Sequence, residues 1–334
     1  MSESGFKLSW TYPNVSDFSP KKNEDFPPRN KFESRCKCAD ELGIKRVEIP
    51  ADLIKSEGEE KITKQHIGEI IKKENIPILY GYESLNCDYI LHTEPHFSRK
   101  GVITELKWND EDWSKKYIES ILDIIKIGMK GKPPKAIEIH PGIEDYSNKE
   151  MLLKRVFYLQ EQYETKYHEM IDKQYQTREP EIIDILIENR ATPKQIICDA
   201  DTFQEFNDLL NSQSLDNFNE QHEEYKKHIW FAVDIPQLKT TWNKSHPDNE
   251  SFLDEIDKIP NDRIKCWHIH SHYKKKDKNG KNTTVVHEPP GEKDDILWNK
   301  VKDFFKKDEN VWYLPEVRNA EDVEETIKFV EVMI

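Results

Sequence analysis

The stretch Ile183-Asp-Ile-Leu-Ile-Glu188 decides the fold, because it is a short apolar run that ends in a charged residue. A mostly apolar run of about four to six residues is typical of a parallel β-strand that is buried on both faces. Asn189 and Arg190 follow the run directly. A carboxylate at the end of a buried strand needs a partner. The stretch therefore predicts both a parallel sheet and a functional site at the edge of that sheet.

Outward from this stretch, strand-like runs alternate with helix-like segments along the whole chain. Eight runs predict strands, at residues 7–10, 46–49, 89–92, 136–140, 183–188, 230–235, 266–271 and 311–317. Residues 76–80 compete with residues 89–92 for the third strand. One helix is predicted after each strand, at residues 31–42, 61–73, 110–129, 150–173, 202–210, 251–256, 295–305 and 320–332. Residues 274–282 are predicted as a polar loop.

The alternation of strands and helices predicts a (β/α)8 TIM barrel. The length of 334 residues suits one such barrel with loop insertions, since TIM barrels take about 250 residues. We therefore predict a single domain over residues 1–334. The alternative, an open doubly wound sheet, usually carries a Gly-rich first turn. Neither GxGxxG nor GxxxxGKS/T occurs in this chain, which also argues against dinucleotide and P-loop nucleotide binding.

Composition and charge exclude several classes of protein. The net charge of −14 disfavours bulk binding of a polyanion, although a local basic patch can override it. No stretch approaches about 18 consecutive apolar residues, so we expect no membrane span. Five cysteines and an N-terminus without a secretory pattern predict free thiols in a reducing cytoplasm. The oligomeric state stays open.

Six successive predicted strands end in a residue that can bind a metal ion. An uncompensated buried charge costs several kcal/mol, so charged groups at buried strand ends need a reason. Imidazoles and carboxylates that converge at the mouth of a barrel fit a divalent metal cluster, and mutual ion pairing is the alternative. The six residues are His92, His140, Glu188, Asp234, His268 and Glu316.

The chain resembles the divalent-metal barrels that include endonuclease IV and the xylose isomerase-like sugar isomerases and epimerases. The resemblance covers residues 31–332 and rests on the order and spacing of several short motifs. They are ELGIKRVEI at 41–49, HPG at 140–142, IENR at 187–190, DADTFQEF at 199–206, FAVDIPQL at 231–238, CWHIHS at 266–271, VVHEPPGEKDDILW at 285–298 and LPEV at 314–317.

The resemblance implies a ligand set. Glu188, Asp234, His268 and Glu316 match the four ligands that the superfamily shares. His92 and His140 match the pair that joins the strand-5 glutamate to hold a second ion in endonuclease IV-like enzymes. The sugar isomerases usually lack this pair, so the endonuclease IV-like branch is expected.

Two departures affect a third ion. The nuclease pattern has a histidine where this chain has Gln237, and an aspartate where it has Val285, so only His287 of that ligand trio remains. His270 or His272 are candidate substitutes. We therefore expect two or three divalent ions, zinc or manganese.

Basic residues beside the predicted metals are candidate substrate ligands. Five lysines lie within residues 274–281, an unusual density in an acidic protein. Lys274, Lys275, Lys276 and Arg190 are therefore predicted to bind a phosphate-bearing substrate. The alternative for the lysines is a solvated loop. Expected partners are nucleic acid, or a phosphorylated or sugar substrate.

These features predict a metal-dependent phosphodiester hydrolase that resembles endonuclease IV, acting in DNA repair or nucleic-acid processing. Glu188 and Glu316 are the predicted catalytic residues. The first alternative is a xylose isomerase-like isomerase or epimerase with one ion, in which Glu188 and Glu316 serve as acid and base. The second alternative is a barrel that keeps a metal without catalysis.

Overall fold

Eight parallel strands form the centre of the molecule, as the alternation in the sequence predicts. The structure is a computed structural model that describes residues 6–13, 32–51, 87–93, 96–99, 102–128, 133–171, 182–192, 194–212, 220–246, 251–276 and 278–334. The strands within these ranges are β1 (Ser9–Trp10), β2 (Arg46–Ala51), β3 (Asp88–Thr93), β4 (His96–Arg99), β5 (Val102–Glu105), β6 (Ala136–Ile139), β7 (Asp184–Glu188), β8 (Ile229–Asp234), β9 (Ile264–Ile269), β10 (His272–Lys276), β11 (Asn282–Val286) and β12 (Trp312–Pro315).

The parallel strands form a TIM barrel. Their order is β1-β12-β9-β8-β7-β6-β3-β2, and every neighbouring pair in this order is parallel. A parallel bridge between Tyr12 and Val47 joins the two outer strands. The Tyr12 amide donates to the Arg46 carbonyl at 2.9 Å, and the Glu48 amide donates to the Tyr12 carbonyl at 2.8 Å. These contacts close the ring.

Helices follow the barrel strands. They are α1 (Phe32–Glu41), α2 (Glu111–Gly128), α3 (Lys149–Ile171), α4 (Ala200–Asn211), α5 (Glu220–Lys226), α6 (Ile235–Ser245), α7 (Ser251–Asp257), α8 (Trp298–Val301) and α9 (Ala320–Met333). In α2, Ile118, Ile121, Leu122 and Ile125 recur at helical spacing and are all buried. The acidic residues of its first turn suit the positive end of the helix dipole.

The core has two parts, because residues on a strand alternate between its two faces. The larger part fills the space between the strands and the helices and includes Ile137, Ile139, Ile185 and Ile187. The smaller part contains the inward-facing residues of the same strands. It consists of Ile90, Ala136, Leu186, Ala232, Cys266, Trp312 and Leu314.

The structure agrees with most predicted strands and corrects others. The third strand is β3, as favoured, while the competing run at 76–80 and the predicted helix at 61–73 lie outside the described residues. The strand predicted at 266–271 begins at Ile264 instead and ends at Ile269. The polar loop predicted at 274–282 is only partly correct, because residues 274–276 belong to β10 and Asn282 begins β11, and these two strands pair as an antiparallel hairpin. The β4–β5 hairpin was not predicted.

Three helix predictions also need correction. The helix predicted from residue 202 begins at Ala200, because Asp199 is its N-cap. The Asp199 side chain accepts from the Thr202 amide, and the Thr202 hydroxyl accepts from the Asp199 amide. The helix predicted over 295–305 is only the short α8 followed by a 3₁₀ turn at Lys302–Phe304. The strand predicted to residue 235 ends at Asp234, which caps an unpredicted helix, α6. Within the described ranges, no helix has the length and apolarity needed to cross a membrane.

Candidate metal centre

Polar side chains occupy the carboxyl ends of the barrel strands. In β7, inward-facing Leu186 is followed two positions later by Glu188, and residues two apart share a face. The same step leads from Ala232 to Asp234 and from Cys266 to His268. The apolar interior therefore gives way to a layer of ionisable groups. Glu188, Asp234 and His268 have no exposed surface in this layer.

The first group of ligand atoms joins two histidines to Glu188. His92 lies in β3, and His140 follows β6 directly. The Nε2 atoms of His92 and His140 are 3.1 Å apart. The Oε2 atom of Glu188 lies 3.0 Å from His140 Nδ1 and 3.4 Å from His92 Nε2. The structure thus brings together the three residues that the sequence assigned to one ion.

The second group lies on the other side of Glu188. His268 Nδ1 is 3.3 Å from Glu316 Oε2 and 3.7 Å from Glu188 Oε1. Asp234 completes a set of four residues whose ligand atoms lie within 4.8 Å of one another. Glu188 therefore belongs to both groups, with Oε2 toward the histidine pair and Oε1 toward His268. A carboxylate in this position can bridge two cations.

The donor atoms fit a divalent cation better than they fit one another. Glu188 Oε2, Asp234 Oδ2 and His140 Nδ1 are buried and make no hydrogen bond. A buried polar group without a partner costs free energy, and each such atom in a folded protein needs an explanation. Imidazole nitrogens and carboxylate oxygens are the ligands that zinc and manganese take. A bound cation would satisfy these atoms together.

Burial and crowding shift the pKa values of this cluster. Burial raises the pKa of Glu188 to about 7. Burial lowers the pKa of His140 far below its usual range, and the charges of Arg190 and His92 add to this effect. Burial also acts to lower the pKa of His268, but the charge of Glu138 and the contacts with Cys266 and Glu316 together outweigh it, so the pKa rises. The groups thus compete for protons at positions where a metal needs deprotonated ligands.

A third group lies beside Glu316. His270, His287 and Glu316 bring ligand atoms within 4.8 Å, and the two imidazoles stack with centroids 4.3 Å apart. His270 Nε2 is also 3.4 Å from Asp234 Oδ1. His287 holds a positive φ of 60°, which is uncommon for a residue with a side chain. The sequence named His287 as a ligand and His270 only as a candidate substitute.

Gln237 lies where the nuclease pattern has a metal ligand. In this chain it makes hydrogen bonds to two candidate ligands instead. Its Nε2 donates to Glu188 Oε1 at 3.2 Å, and its Oε1 accepts from the Ala191 amide at 2.9 Å. Its own amide donates to Asp234 Oδ1 at 2.8 Å. Gln237 therefore holds two of the candidate ligands in place. His272, the other suggested substitute, points its Nε2 at Thr240 Oγ1, 3.1 Å away.

The predicted substrate residues fall in two places. Arg190 lies at the site, with Nη1 4.0 Å from Glu188 Oε1. Lys274, Lys275 and Lys276 are exposed on β10, which follows the carboxyl end of β9. The hairpin is anchored at its base, where the Ser271 amide donates to the Glu288 carbonyl at 2.8 Å. The lysines are thus on the mouth side of the barrel but outside the ligand groups.

The turn after His140 fixes the direction of the chain. Gly142 has a φ of +78°, and a Cβ there would lie 2.5 Å from Ser147 Oγ. That hydroxyl is held in place, since it donates to the Leu106 carbonyl at 3.0 Å. Trp108 Nε1 donates to the His140 carbonyl at 3.1 Å. A glycine is therefore required where the chain leaves the first ligand group.

Sequence reasoning missed two buried carboxylates. Glu138 lies two residues before His140, and Glu48 lies in the middle of β2. Glu138 Oε1 is 3.0 Å from His268 Nε2, and Glu48 Oε1 contacts His92 Nδ1. The spacing in Glu138-Ile-His140 was the available signal, because residues two apart on a strand share a face. Cys266 forms a further potential ligand group with Glu138 and His268.

Comparisons with known proteins agree with the fold. No protein-family model matches the sequence, and no curated protein matches it. A xylose isomerase-like TIM barrel protein from Mycobacterium smegmatis in complex with magnesium is 10% identical, over 90% of this chain and 86% of that one, with a TM-score of 0.52. The IOLI protein with a binding zinc atom is 11% identical, over 98% and 95%, with a TM-score of 0.51.

A xylose isomerase domain protein from Planctomyces limnophilus is also similar, at 11% identity over 99% of this chain and 97% of that one, with a TM-score of 0.50. At these identities the likeness shows a shared fold and nothing finer. The expected TIM-barrel fold is therefore supported. The comparisons do not single out the endonuclease IV-like branch.

Proposed function

We propose that this chain is a divalent-metal enzyme that hydrolyses phosphodiester bonds with two ions sharing Glu188. One observation carries the proposal: the two oxygens of Glu188 face two separate groups of ligand atoms. His92 and His140 would complete one group, and Asp234, His268 and Glu316 the other. Ions held this way, zinc or manganese, supply Lewis-acid stabilisation of negative charge and activation of water.

The chain itself supplies the remaining functions of a phosphodiester site. Arg190 is 29% exposed beside Glu188, so its guanidinium can contact a phosphate at the mouth. Gln237 donates to Glu188 and keeps that carboxylate oriented between the groups. The exposed lysines of β10 extend a positive surface along the same mouth, where the backbone of a nucleic acid can lie. Lys274, Lys275 and Lys276 would thus position the substrate.

The third group supports a third ion. His270 and His287 would share Glu316 with the second ion, just as Glu188 is shared between the first two. The arrangement does not use Gln237 or Val285, the two departures from the nuclease pattern. The groups around Glu188 support binding of two ions, and the stacked imidazoles would add a third.

A sugar isomerase or epimerase with one ion is the second candidate, and the fold comparisons favour it. Two of the three similar solved structures carry xylose isomerase names, and two of the three hold magnesium or zinc. In this candidate, Asp234 and His268 would hold the ion together with Glu188 and Glu316. The two glutamates would then exchange protons with a ketose bound between them.

Metal analysis and two substrate panels separate the candidates. Purified protein is loaded with Zn²⁺ or Mn²⁺, desalted and measured for ions per chain. Turnover is then followed on a duplex with an abasic site, on bis(p-nitrophenyl) phosphate, and on a panel of ketoses. Two or more tightly held ions with phosphodiester cleavage support the hydrolase. One exchangeable ion with ketose turnover replaces it with the isomerase, and neither activity with either metal contradicts both.

A further inference from the structure

Two buried carboxylates lie directly beneath the histidines of the candidate metal centre. Glu48 on β2 is 3% exposed, and Glu138 on β6 has no exposed surface. A buried carboxylate is costly unless a partner compensates it. Glu48 contacts His92 on the side away from its ligand group, and Glu138 approaches His268 in the same way. Glu138 Oε1 also lies 3.7 Å from His92 Nε2. Neither Glu48 nor Glu138 has a part in the proposed binding of ions or substrate.

His268 lies between Glu138 and the second ligand group. Its Nε2 is 3.0 Å from Glu138 Oε1, while its Nδ1 makes a hydrogen bond of 3.3 Å to Glu316 Oε2 where no cation is present. A neutral imidazole carries one hydrogen, so a hydrogen on Nε2 leaves the lone pair of Nδ1 for a cation. The Nε2–Oε1 pair lies at hydrogen-bond separation without being aligned as a hydrogen bond.

His92 has the opposite arrangement. Its Nδ1 contacts the carboxylate of Glu48, and its Nε2 faces Glu188 Oε2 at 3.4 Å. A hydrogen held on Nδ1 by Glu48 leaves the lone pair on Nε2. The two histidines therefore offer different ring nitrogens to the cluster. The difference follows from which strand supplies the carboxylate, β2 for His92 and β6 for His268.

We infer that Glu48 and Glu138 are positioning residues that fix opposite tautomers of His92 and His268. Glu48 holds the hydrogen of His92 on Nδ1, and Glu138 holds that of His268 on Nε2. A carboxylate behind a metal-binding imidazole orients the ring and raises its basicity. Removal of such a partner lowers metal affinity about 10- to 100-fold. The inference rests on the proposed metal binding but not on the reaction catalysed.

The test compares Co²⁺ affinity and the Co²⁺ absorption spectrum in matched variants. Glu138→Met removes the acceptor at similar volume. It should lower the affinity for the Co²⁺ ion at His268 about 10- to 100-fold and shift the Co²⁺ absorption spectrum. Glu138→Gln keeps an acceptor oxygen and should recover most of the affinity. Glu48→Met and Glu48→Gln should repeat the pattern for the ion at His92.

Glu255 provides the control. Its carboxylate is 4% exposed, as buried as those of the site, but it accepts from the Ala200 amide at 2.7 Å outside the barrel. Glu255→Met should therefore leave Co²⁺ binding unchanged even if it lowers stability. Nitrogen NMR of the imidazoles in the Zn²⁺-loaded wild type needs no variant. It should find the hydrogen of His268 on Nε2 and that of His92 on Nδ1.

Each failure has a distinct meaning. Wild type that binds no Co²⁺ or Zn²⁺ overturns the proposed function and this inference together. Wild type that binds, with affinity in Glu138→Met and Glu48→Met within about twofold of normal, overturns the inference alone. A hydrogen found on Nδ1 of His268 and on Nε2 of His92 also overturns the inference alone. If Glu138→Met and Cys266→Ser each remove one full equivalent of Co²⁺, these residues and His268 hold an ion themselves, and the positioning role is wrong.

Discussion

Asp184 and Glu188 are carboxylates on the same strand, β7, at opposite ends of the barrel. Asp184 accepts hydrogen bonds from His228 Nδ1 and Trp230 Nε1, each at 2.9 Å, and it pairs with Lys265. The Lys265 ammonium lies 4.9 Å from the Trp230 ring as well. At this end of the barrel the chain neutralises its own charge.

Glu188 is paired at one oxygen only, where Gln237 Nε2 donates to its Oε1 at 3.2 Å. Its Oε2 makes no hydrogen bond although the residue has no exposed surface, and buried Asp234 has an oxygen in the same condition. Carboxylates and imidazoles crowd this end of the barrel. The contrast separates a charge that serves the fold from one that needs a ligand, and it does so within five residues of one strand.

The largest expected effect comes from Glu188→Gln. Because the carboxylate faces both ligand groups, its loss should lower the content of both ions and reduce turnover about 10³-fold or more. Metal analysis and turnover on the substrate that wild type accepts measure this. Asp184→Asn on the same strand is the matched control and should keep its metal. Full metal occupancy and full turnover in Glu188→Gln would mean that the contrast between the two ends has no functional meaning.

His140→Ala should have the next largest effect and sharpens the choice between the candidate reactions. In the two-ion hydrolase it removes a ligand of the first group, so about one equivalent of metal should be lost and the rate should fall about 10²-fold. A one-ion isomerase would keep its metal and change mainly in KM. Metal content that stays unchanged, together with a KM shift on a ketose, would replace the hydrolase.

Asp184→Asn should lower stability and leave the metal centre intact. Burial acts to raise the pKa of Asp184, but its bonds to His228 and Lys265 outweigh burial, so the pKa lies below its ordinary value of 3.8. A depressed pKa stabilises the folded state above pH 3.8, and this contribution is lost as pH falls through the folded-state pKa. Near pH 7 the loss should be about 2 kcal/mol.

Urea unfolding of wild type and Asp184→Asn across pH measures this contribution. The difference between the two proteins should shrink as the pH falls below the ordinary pKa. A difference that is constant from neutral to acid pH would show that the ionised carboxylate of Asp184 contributes nothing.

The smallest expected effect is the difference between two glycine substitutions, one near each end of the barrel. Gly43, before β2, has a φ of +71° and no atom within 4 Å of an added Cβ. Gly43→Ala should therefore cost only the strain of positive φ, about 1 kcal/mol. Gly142→Ala adds a clash with Ser147 and should cost about 1 kcal/mol more. Equal unfolding free energies would mean that the turn after His140 is not tightly packed.

The sequence predicts the barrel because each buried strand is a short apolar run. It does not predict the β10–β11 hairpin, since the lysines and threonines there are exposed and no apolar period marks a strand. The start of α6 is hidden for a different reason. Apolar residues continue from β8 through Asp234 into Ile235, so the boundary depends on Asp234 capping the helix. Hydrophobicity alone carries no sign of that cap.

The strand-end ligands are also predictable, because a charged residue that closes an apolar run stands out. Glu48 and Glu138 are harder to predict, because each lies inside a strand that is buried on both faces and only Glu138 has a signal, its spacing of two residues from His140. No polar face reveals which way such a side chain points, and only the pairing of β3 with β2 and β6 places them beside the histidines. His270 is only a candidate substitute in the sequence for a similar reason, since the β10–β11 hairpin is what brings its partner His287 back to it.

The closure of the barrel involves the same residue that contacts His92. One of the hydrogen bonds joining β1 to β2 is donated by the Glu48 amide, and the Glu48 carboxylate reaches the imidazole. When the two strands separate, the amide becomes open to solvent exchange and the carboxylate leaves His92 in the same motion. An ion bound at His92 would therefore stabilise the closed barrel. Its binding free energy should appear as slower amide exchange at Glu48 and Tyr12.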